Sequence, residues 1–228
     1  MTKSIYDQIT ASGTSGADFK QRMVETFSGD ALDTNRWSTG KDAYNSGTPT
    51  FAMDDSVDGG FKVTAEASIN NSSGAVGSAS SYGLNNIRQF AHNGSVYIDV
   101  FKQNTVSSGH KVIAHGLKET MAGDGAANNA CMWGSGVNMN TSYFMSRTCG
   151  SSGSQTDVAS DVAYDQNWHS YKIETKSASV DFTLDGVLKT TITTNLPASK
   201  MAPINGVQGT SDSTAPSYSI KYVECYNT

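Results

Sequence analysis

The chain has 228 residues, a formal net charge of -5, and charged residues at 16%, well under the usual quarter of a soluble domain. The length suits one large all-β sandwich. The composition excludes a nucleic-acid surface, because Lys and Arg nowhere cluster to displace phosphate counterions. No apolar run approaches the roughly 20 residues that cross a bilayer, and the opening MTKSIYDQITASGTSGADFK lacks the basic-then-apolar order of a signal peptide. Gly, Ser, Thr and Asn are abundant and helical periodicity is nearly absent, so the expected fold is an antiparallel β-sandwich. Residues 25–228 form the domain, preceded by an extended N-terminal arm over residues 1–24.

In chain order, the arm scatters Ile5, Tyr6, Ile9, Phe19 and Met23 around a flexible Ala-Ser-Gly-Thr-Ser-Gly stretch and cannot bury itself. A partner subunit is the expected clamp. From Glu25 the text becomes ETFSGDALDTNRWSTG, with Phe27, Leu32 and Trp37 as candidate core residues. Asp54, Asp55 and Asp58 fall in the turn-like MDDSVDGG. A hard cation such as calcium collects several carboxylates and carbonyls at once, so this is the candidate structural calcium site; the alternative is a solvated turn. FKVTAEASI predicts a strand over 61–69, followed by the turn-rich NNSSGAVGSASS. IRQFA and SVYIDVFKQ flank His92-Asn93-Gly94, a hairpin signal. In SVYIDVFKQ, Val96, Ile98 and Val100 share one face and Tyr97, Asp99 and Phe101 the other. Both faces are bulky, which predicts a central strand with one side in the core and the other lining a concave surface. HKVIAHGLKE is the next expected strand, MAGDGAANNACMWGSGVNMN a long loop or irregular strand, and SYFMSRT a return to the sheet. Cys131, Cys149 and Cys225 match no zinc spacing and are expected to be buried thiols, with a Cys131–Cys149 bridge as the alternative.

The clearest periodicity lies in DQNWHSYKIETKSASVDFTLDGVLKTTITTNLP. Tyr171, Ile173 and Thr175 alternate with Lys172 and Glu174, then Val180, Phe182 and Leu184 with Asp181, Thr183 and Asp185. Asp185-Gly186 supplies a two-residue turn, which predicts a three-stranded meander. The Trp-His opening, the strand pair closing on Asp-Gly, the Phe27, Leu32-Asp33, Trp37 series and the final SYSIKYVECYNT resemble concanavalin A-like jelly rolls. That superfamily includes laminin-G-like and pentraxin-like lectin domains and the family 16 glycoside hydrolases. The resemblance brackets Glu25 to Tyr226 and implies a jelly roll with its first and last strands side by side.

Hydrolases of this fold carry Glu-x-Asp-x-x-Glu or Glu-x-Asp-x-Glu on one central strand, with the acid pair about 5 Å apart on the concave face. The glutamates of this chain are Glu25, Glu66, Glu119, Glu174 and Glu224, none in that arrangement. Gly-x-Ser-x-Gly is missing, and His92, His110, His115 and His169 show no metal-ligand rhythm. His110 and His115 are expected in polar, partly exposed settings, and His169 in a packing or backbone-bonding role. No catalytic residue is therefore expected. Aromatic platforms beside amide and carboxylate groups suit sugar binding, which nominates Tyr97, Asp99, Trp133 and Tyr143; the alternative for each is a core or structural role. The Ala/Ser/Thr/Gly-rich leader followed by Phe-Ser-Gly-Asp-x-Leu-Asp also resembles structural proteins of tailed bacteriophages that carry such a domain. That resemblance implies a virion protein that docks to other virion proteins through its arm. It also implies a homo-oligomer, a trimer by analogy with fibres, and a grip on cell-surface glycan. The competing expectations are a polysaccharide hydrolase or lyase with an unrecognised His or Tyr base, and a stand-alone carbohydrate-binding module.

Overall fold

The computed structural model describes residues 22–34, 36–40, 47–54, 59–68, 73–77, 90–105, 110–119, 129–210 and 214–228. These residues form strands β1 (Arg22–Glu25), β2 (Ser38–Gly40), β3 (Thr50–Asp54), β4 (Gly60–Thr64), β5 (Ser73–Gly77), β6 (Ser95–Gln103), β7 (His110–Lys118) and β8 (Ala130–Ser135). They continue with β9 (Tyr143–Cys149), β10 (Gln155–Ala163), β11 (His169–Thr175), β12 (Val180–Leu184), β13 (Val187–Ile192), β14 (Ala202–Gly209) and β15 (Ser217–Asn227). Among the described residues one sheet of eight strands runs β13-β12-β11-β6-β15-β4-β3 with β1 on β15, and one of seven runs β10-β9-β8-β7-β14-β5-β2. Every pairing is antiparallel, and the two sheets enclose one main core that includes Trp37, Phe61, Phe101, Leu117, Trp133, Phe144, Ile173 and Phe182. This is the expected jelly-roll sandwich.

The meander forms as its alternation predicts. Tyr171 pairs with Leu184 and Ile173 with Phe182, and all four are buried in the core. Asp185 and Gly186 both take positive φ, 49° and 78°, the requirement of a turn whose twist matches the flanking strands. The ends of the domain also meet. Arg22 to Glu25 pair with Tyr226 to Val223, while Phe27 and Trp37 lie in the core with their rings 5.2 Å apart. Trp37 Nε1 donates to Glu25 Oε2 at 3.3 Å. Residues 1–21 of the expected arm lie outside the described residues, and Arg22–Val24 belong to β1.

β15 organises its sheet. One edge pairs with β6 along most of its length; the other is shared, β4 taking Ser217–Ile220 and β1 taking Val223–Tyr226. The register slips between Ile220 and Tyr222, so Lys221 is the extra residue of a bulge. The bulge explains why SYSIKYVECYNT alternates poorly: Tyr218 and Ile220 face the core before it, Val223 and Cys225 after it.

Four expectations need correction. β6 lies between β11 and β15, so the Asn93-Gly94 pair closes no hairpin with IRQFA, of which Phe90 instead bridges Met201. Of the two readings for the stretch around Trp133, the loop gives way to the strand: it contains β8, buried on both faces, where period two has no polar partner to display. The turn-rich SGAVG is β5, and QTDVASDVA is the edge strand β10. The 61–69 strand stops at Thr64.

Close packing between strands is visible at Gly116, which has φ +146°; a Cβ there would lie 2.4 Å from the Cys131 carbonyl oxygen and 2.8 Å from Ile173 Cδ1. Gly116→Ala is expected to lower stability by about 2 kcal/mol or more. Gly29→Ala, whose Cβ would meet nothing nearer than 3.7 Å, should stay within about 0.5 kcal/mol. Urea unfolding of both variants checks the difference.

Candidate functional site

β6 faces the neighbouring strands β7 and β14 across the sandwich, and each turns polar side chains inward. Tyr97 Oη donates to Asp99 Oδ2 at 2.7 Å, and His115 Nδ1 meets the same oxygen at 2.7 Å. Asn205 Oδ1 lies 2.9 Å from the same phenol oxygen, so Asp99 and Asn205 are both acceptors placed for the one phenol proton. Burial first, and then the Asp99 charge, push the Tyr97 phenol well above its ordinary range, which keeps that proton in place. The His115 ring stacks on Phe101 at 3.9 Å, and Tyr218 Oη donates to the Asn205 backbone carbonyl at 2.7 Å. All of these groups are inaccessible to solvent.

This placement corrects the nominated sugar site. Tyr97, Asp99 and Trp133 are core residues at 0% exposure and cannot touch a ligand, because the face of β6 that carries Tyr97 and Asp99 is the inner one. Trp133 Nε1 donates to the Lys172 carbonyl at 3.4 Å. Tyr143, 43% exposed, stands alone at the start of β9 opposite Ala163. Asp54 ends β3 opposite Gly60; Asp55 and Asp58 lie outside the described residues, among which no metal-holding group of three His, Cys, Asp or Glu occurs. Cys131, Cys149 and Cys225 are buried free thiols, and burial pushes the Cys131 thiol far up. His110 and His115, expected at least partly exposed, are fully buried.

A second interior group joins β6, β7 and β8. Ser135 Oγ donates to Gln103 Oε1, and His110 Nε2 lies 3.0 Å from the same Ser135 oxygen. The hydroxyl thus bridges Gln103 and His110 inside the core.

The outer face of the seven-stranded sheet is the other place where the fold could hold a substrate. Its central positions are Val112 and Ala114 on β7, Ala130 and Met132 on β8 and Cys149 on β9, a second apolar cluster separate from the main core and packed by Met139. Ala202 and Ile204 continue it on β14. The segment after β8 folds over this face: Val137 N bonds to the His110 carbonyl at 3.1 Å and Asn138 N to the Lys111 carbonyl at 2.9 Å. Gly134 makes the room, since a Cβ there would lie 2.5 Å from Met139 Sδ. Arg147 takes Asp157 in a bidentate pair at 2.5 and 2.8 Å. No two carboxyl groups confront each other on this face among the described residues.

His169, expected in a packing or backbone-bonding role, packs against Phe144 with ring centroids 5.4 Å apart and also holds two carboxylates: Nδ1 lies 2.6 Å from Asp185 Oδ2 and Nε2 2.9 Å from Asp165 Oδ1. Burial alone would lower the imidazolium pKa; the hydrogen bonds to Asp185 and Asp165 outweigh it and raise it.

No protein-family model matches the sequence, and no curated protein does. Solved structures do match. A Bacteroides ovatus mixed-linkage glucan GH16 protein, in complex with product, aligns at 12% identity and TM-score 0.60 over 89% of this chain and 99% of its own. An immunostimulatory antigen and pseudo β-1,3-glucanase of Mycobacterium tuberculosis aligns at 12% identity and TM-score 0.61 over 90% of this chain and 98% of its own. A carbohydrate esterase from the Shiga toxin-encoding bacteriophage phi24B aligns at 17% identity and TM-score 0.55 over 90% and 97%. At these identities the likeness is one of fold: a jelly roll shared with GH16-like neighbours.

Both buried and half-buried charge pairs can be tested directly. Asp99→Ala is expected to cost about 3–5 kcal/mol by stripping partners from buried donors, with about 1–3 kcal/mol of coupling to His115→Ala in a double-mutant cycle. For His169, whose pKa is raised in the fold, the paired contribution is complete below the unfolded value of about 6.5 and disappears as pH rises through the folded value. Asp165 is held below its usual range despite burial, by hydrogen bonds from Asn167 and His169; its contribution disappears instead as pH falls through that lowered value. An NMR titration should place the His169 midpoint above about 6.5 and show it falling in Asp185→Asn.

Proposed function

We propose that this chain is a non-enzymatic structural protein of a bacteriophage particle, a capsid decoration, head fibre or tail adhesin, whose lectin-like domain presents a surface to glycans. The observation that carries this reading is the outer face of the seven-stranded sheet. Where hydrolases of this superfamily would set an acid pair on a central strand, Ala130 and Met132 are buried in an apolar cluster. The nearby Asp157 is taken by Arg147. Retaining hydrolysis needs two carboxyl groups on either side of the scissile bond, and this face offers no such couple among the described residues. The bacteriophage source of one structural neighbour supports the particle context, and the description of another as a pseudo-glucanase is in keeping with a jelly roll that does not cut. Arm, oligomer and virion location belong to the same proposal.

The competing reading, an enzyme acting on polysaccharide, draws on the phage esterase. Its natural candidates among the described residues, Ser135 and His110, are buried at 0% exposure.

The expected result is no reducing-end release from β-1,3- or mixed-linkage glucans and no acyl release from esterified polysaccharide, measured with the full chain at micromolar concentration. Deleting residues 1–21 should lower the oligomeric mass in light scattering while leaving the far-UV β signal unchanged. Turnover above background, or an unchanged mass after the deletion, overturns the corresponding part.

A further inference from the structure

The outer face of the eight-stranded sheet carries an aromatic and basic cluster of its own. Phe101 pairs with His169 across β6 and β11, so the next residue on one strand and the preceding one on the other, Lys102 and Trp168, come together on the outer side. Lys102 Nζ lies 5.3 Å from the indole centroid. The bulge in β15 brings Lys221 to the same ring, its Nζ at 4.3 Å. In the adjoining row Lys102 pairs with Ser219, and Ser219 with the exposed Lys62. Two ammonium groups thus lie over one partly exposed indole in a chain of net charge -5. The indole Nε1–H has no acceptor among the described residues. Beside Lys221 opens a cleft of about 390 Å³, lined by Thr26, Ser28, Asp30, Asp54 and Lys221 among others, at the place where β1 and β4 share the edge of β15.

We propose that Trp168, Lys102 and Lys221 form a binding site for a carboxylate-bearing saccharide of the uronate type. The proposal rests on the lectin-like reading and gives it a site and a ligand class. An indole face takes the apolar side of a sugar ring, leaving the hydroxyls at its rim. Ammonium groups over a partly exposed ring hold it by a cation–π contact, which is weaker than the charge-assisted hydrogen bond each would make to a carboxylate. A ligand carboxylate therefore draws Lys102 off the ring and frees that side of it for stacking, while Lys221 adds its charge beside it. Asp30, next to Asp54, offers an acceptor, and Thr26 and Ser28 hydroxyls, to the next sugar along the cleft. The same two aspartates disfavour a densely charged polyanion, which sets a sugar bearing one carboxylate per ring apart from a phosphate chain. The site lies on the opposite sheet from the face where the hydrolases of this fold work.

Titration of the full chain with a galacturonate hexamer and with a neutral galactose oligomer tests it, by calorimetry and by tryptophan emission. Trp37 and Trp133 are buried, so an emission change on binding reports Trp168. The expected result is binding of the acidic oligomer, at least tenfold weaker or absent for the neutral one, falling at least tenfold in K102Q/K221Q and weakening as salt rises. Both lysines lie at the surface, and an unchanged thermal melt confirms that the variant folds. Trp168→Phe, which keeps an apolar ring, should remove the emission change and weaken binding. Equal binding of acidic and neutral oligomers, or binding unaffected in K102Q/K221Q, overturns the site while leaving a lectin-like surface elsewhere intact. No binding of either oligomer overturns the proposal and leaves the particle role to be judged by the arm deletion. Release of reducing ends overturns the non-enzymatic reading without touching the site.

Discussion

The two sheets of this sandwich are joined at their centre by a carboxylate. Asp99 on one sheet reaches His115 on the other at 2.7 Å, while Tyr97 beside it meets Asn205. Apolar contact between the sheets supplies most of the driving force, but it is non-directional and tolerates sliding. Buried hydrogen bonds are not tolerant, because a displaced donor or acceptor in a dry core has no water to turn to. The Asp99 junction therefore fixes which part of β6 stands opposite β7 and β14, and Phe101, stacked on His115, takes its place from that alignment.

The same strands show an inverted polarity that bears on function. A half-exposed sheet ordinarily turns polar residues to water and apolar ones to the core. In this sandwich His110, His115, Ser135 and Asn205 point inward, whereas Val112, Ala114, Met132 and Ile204 occupy the outer face of the seven-stranded sheet. Polar chemistry at the middle of the molecule thus serves cohesion between layers. The outer face of that sheet is given over to small and apolar groups under the Val137–Met139 segment. Surface chemistry is displaced to the opposite sheet, where the bulged Lys221 and the Trp-His opening of β11 meet.

How much of this could be seen in the sequence depended on how many faces each strand buries. β11 and β12 have one face in the core and one toward water, so Tyr171, Ile173, Phe182 and Leu184 announced both their structure and their orientation. β8 is covered on both sides and β6 carries bulky groups on both; their text, SVYIDVFKQ and ACMWGS, says central but not which side is which, so it leaves Tyr97, Asp99 and Trp133 between core and surface, and the structure puts them in the core. A buried carboxylate can be recognised only with its partner, and His115 lies 16 residues further along the chain. β5 and β10 are built from small and polar residues whose strand character comes from their neighbours in the sheet, not from intrinsic preference. The Trp168 cluster was invisible for another reason: Lys221 reaches the ring by way of a bulge, an irregularity that period-two reading has no means to place.

The short first strand has a mechanical consequence. Its four residue pairs with β15 run from Arg22 opposite Tyr226 to Glu25 opposite Val223, so tension applied at Arg22 along the strand axis loads them together in shear instead of peeling them in turn. Met23, wholly enclosed by the core, acts as the peg that such a pull must extract. An anchored domain of this build would resist detachment by hydrodynamic drag up to the force that frees that side chain, and beyond it would lose the edge of β15 in a single step.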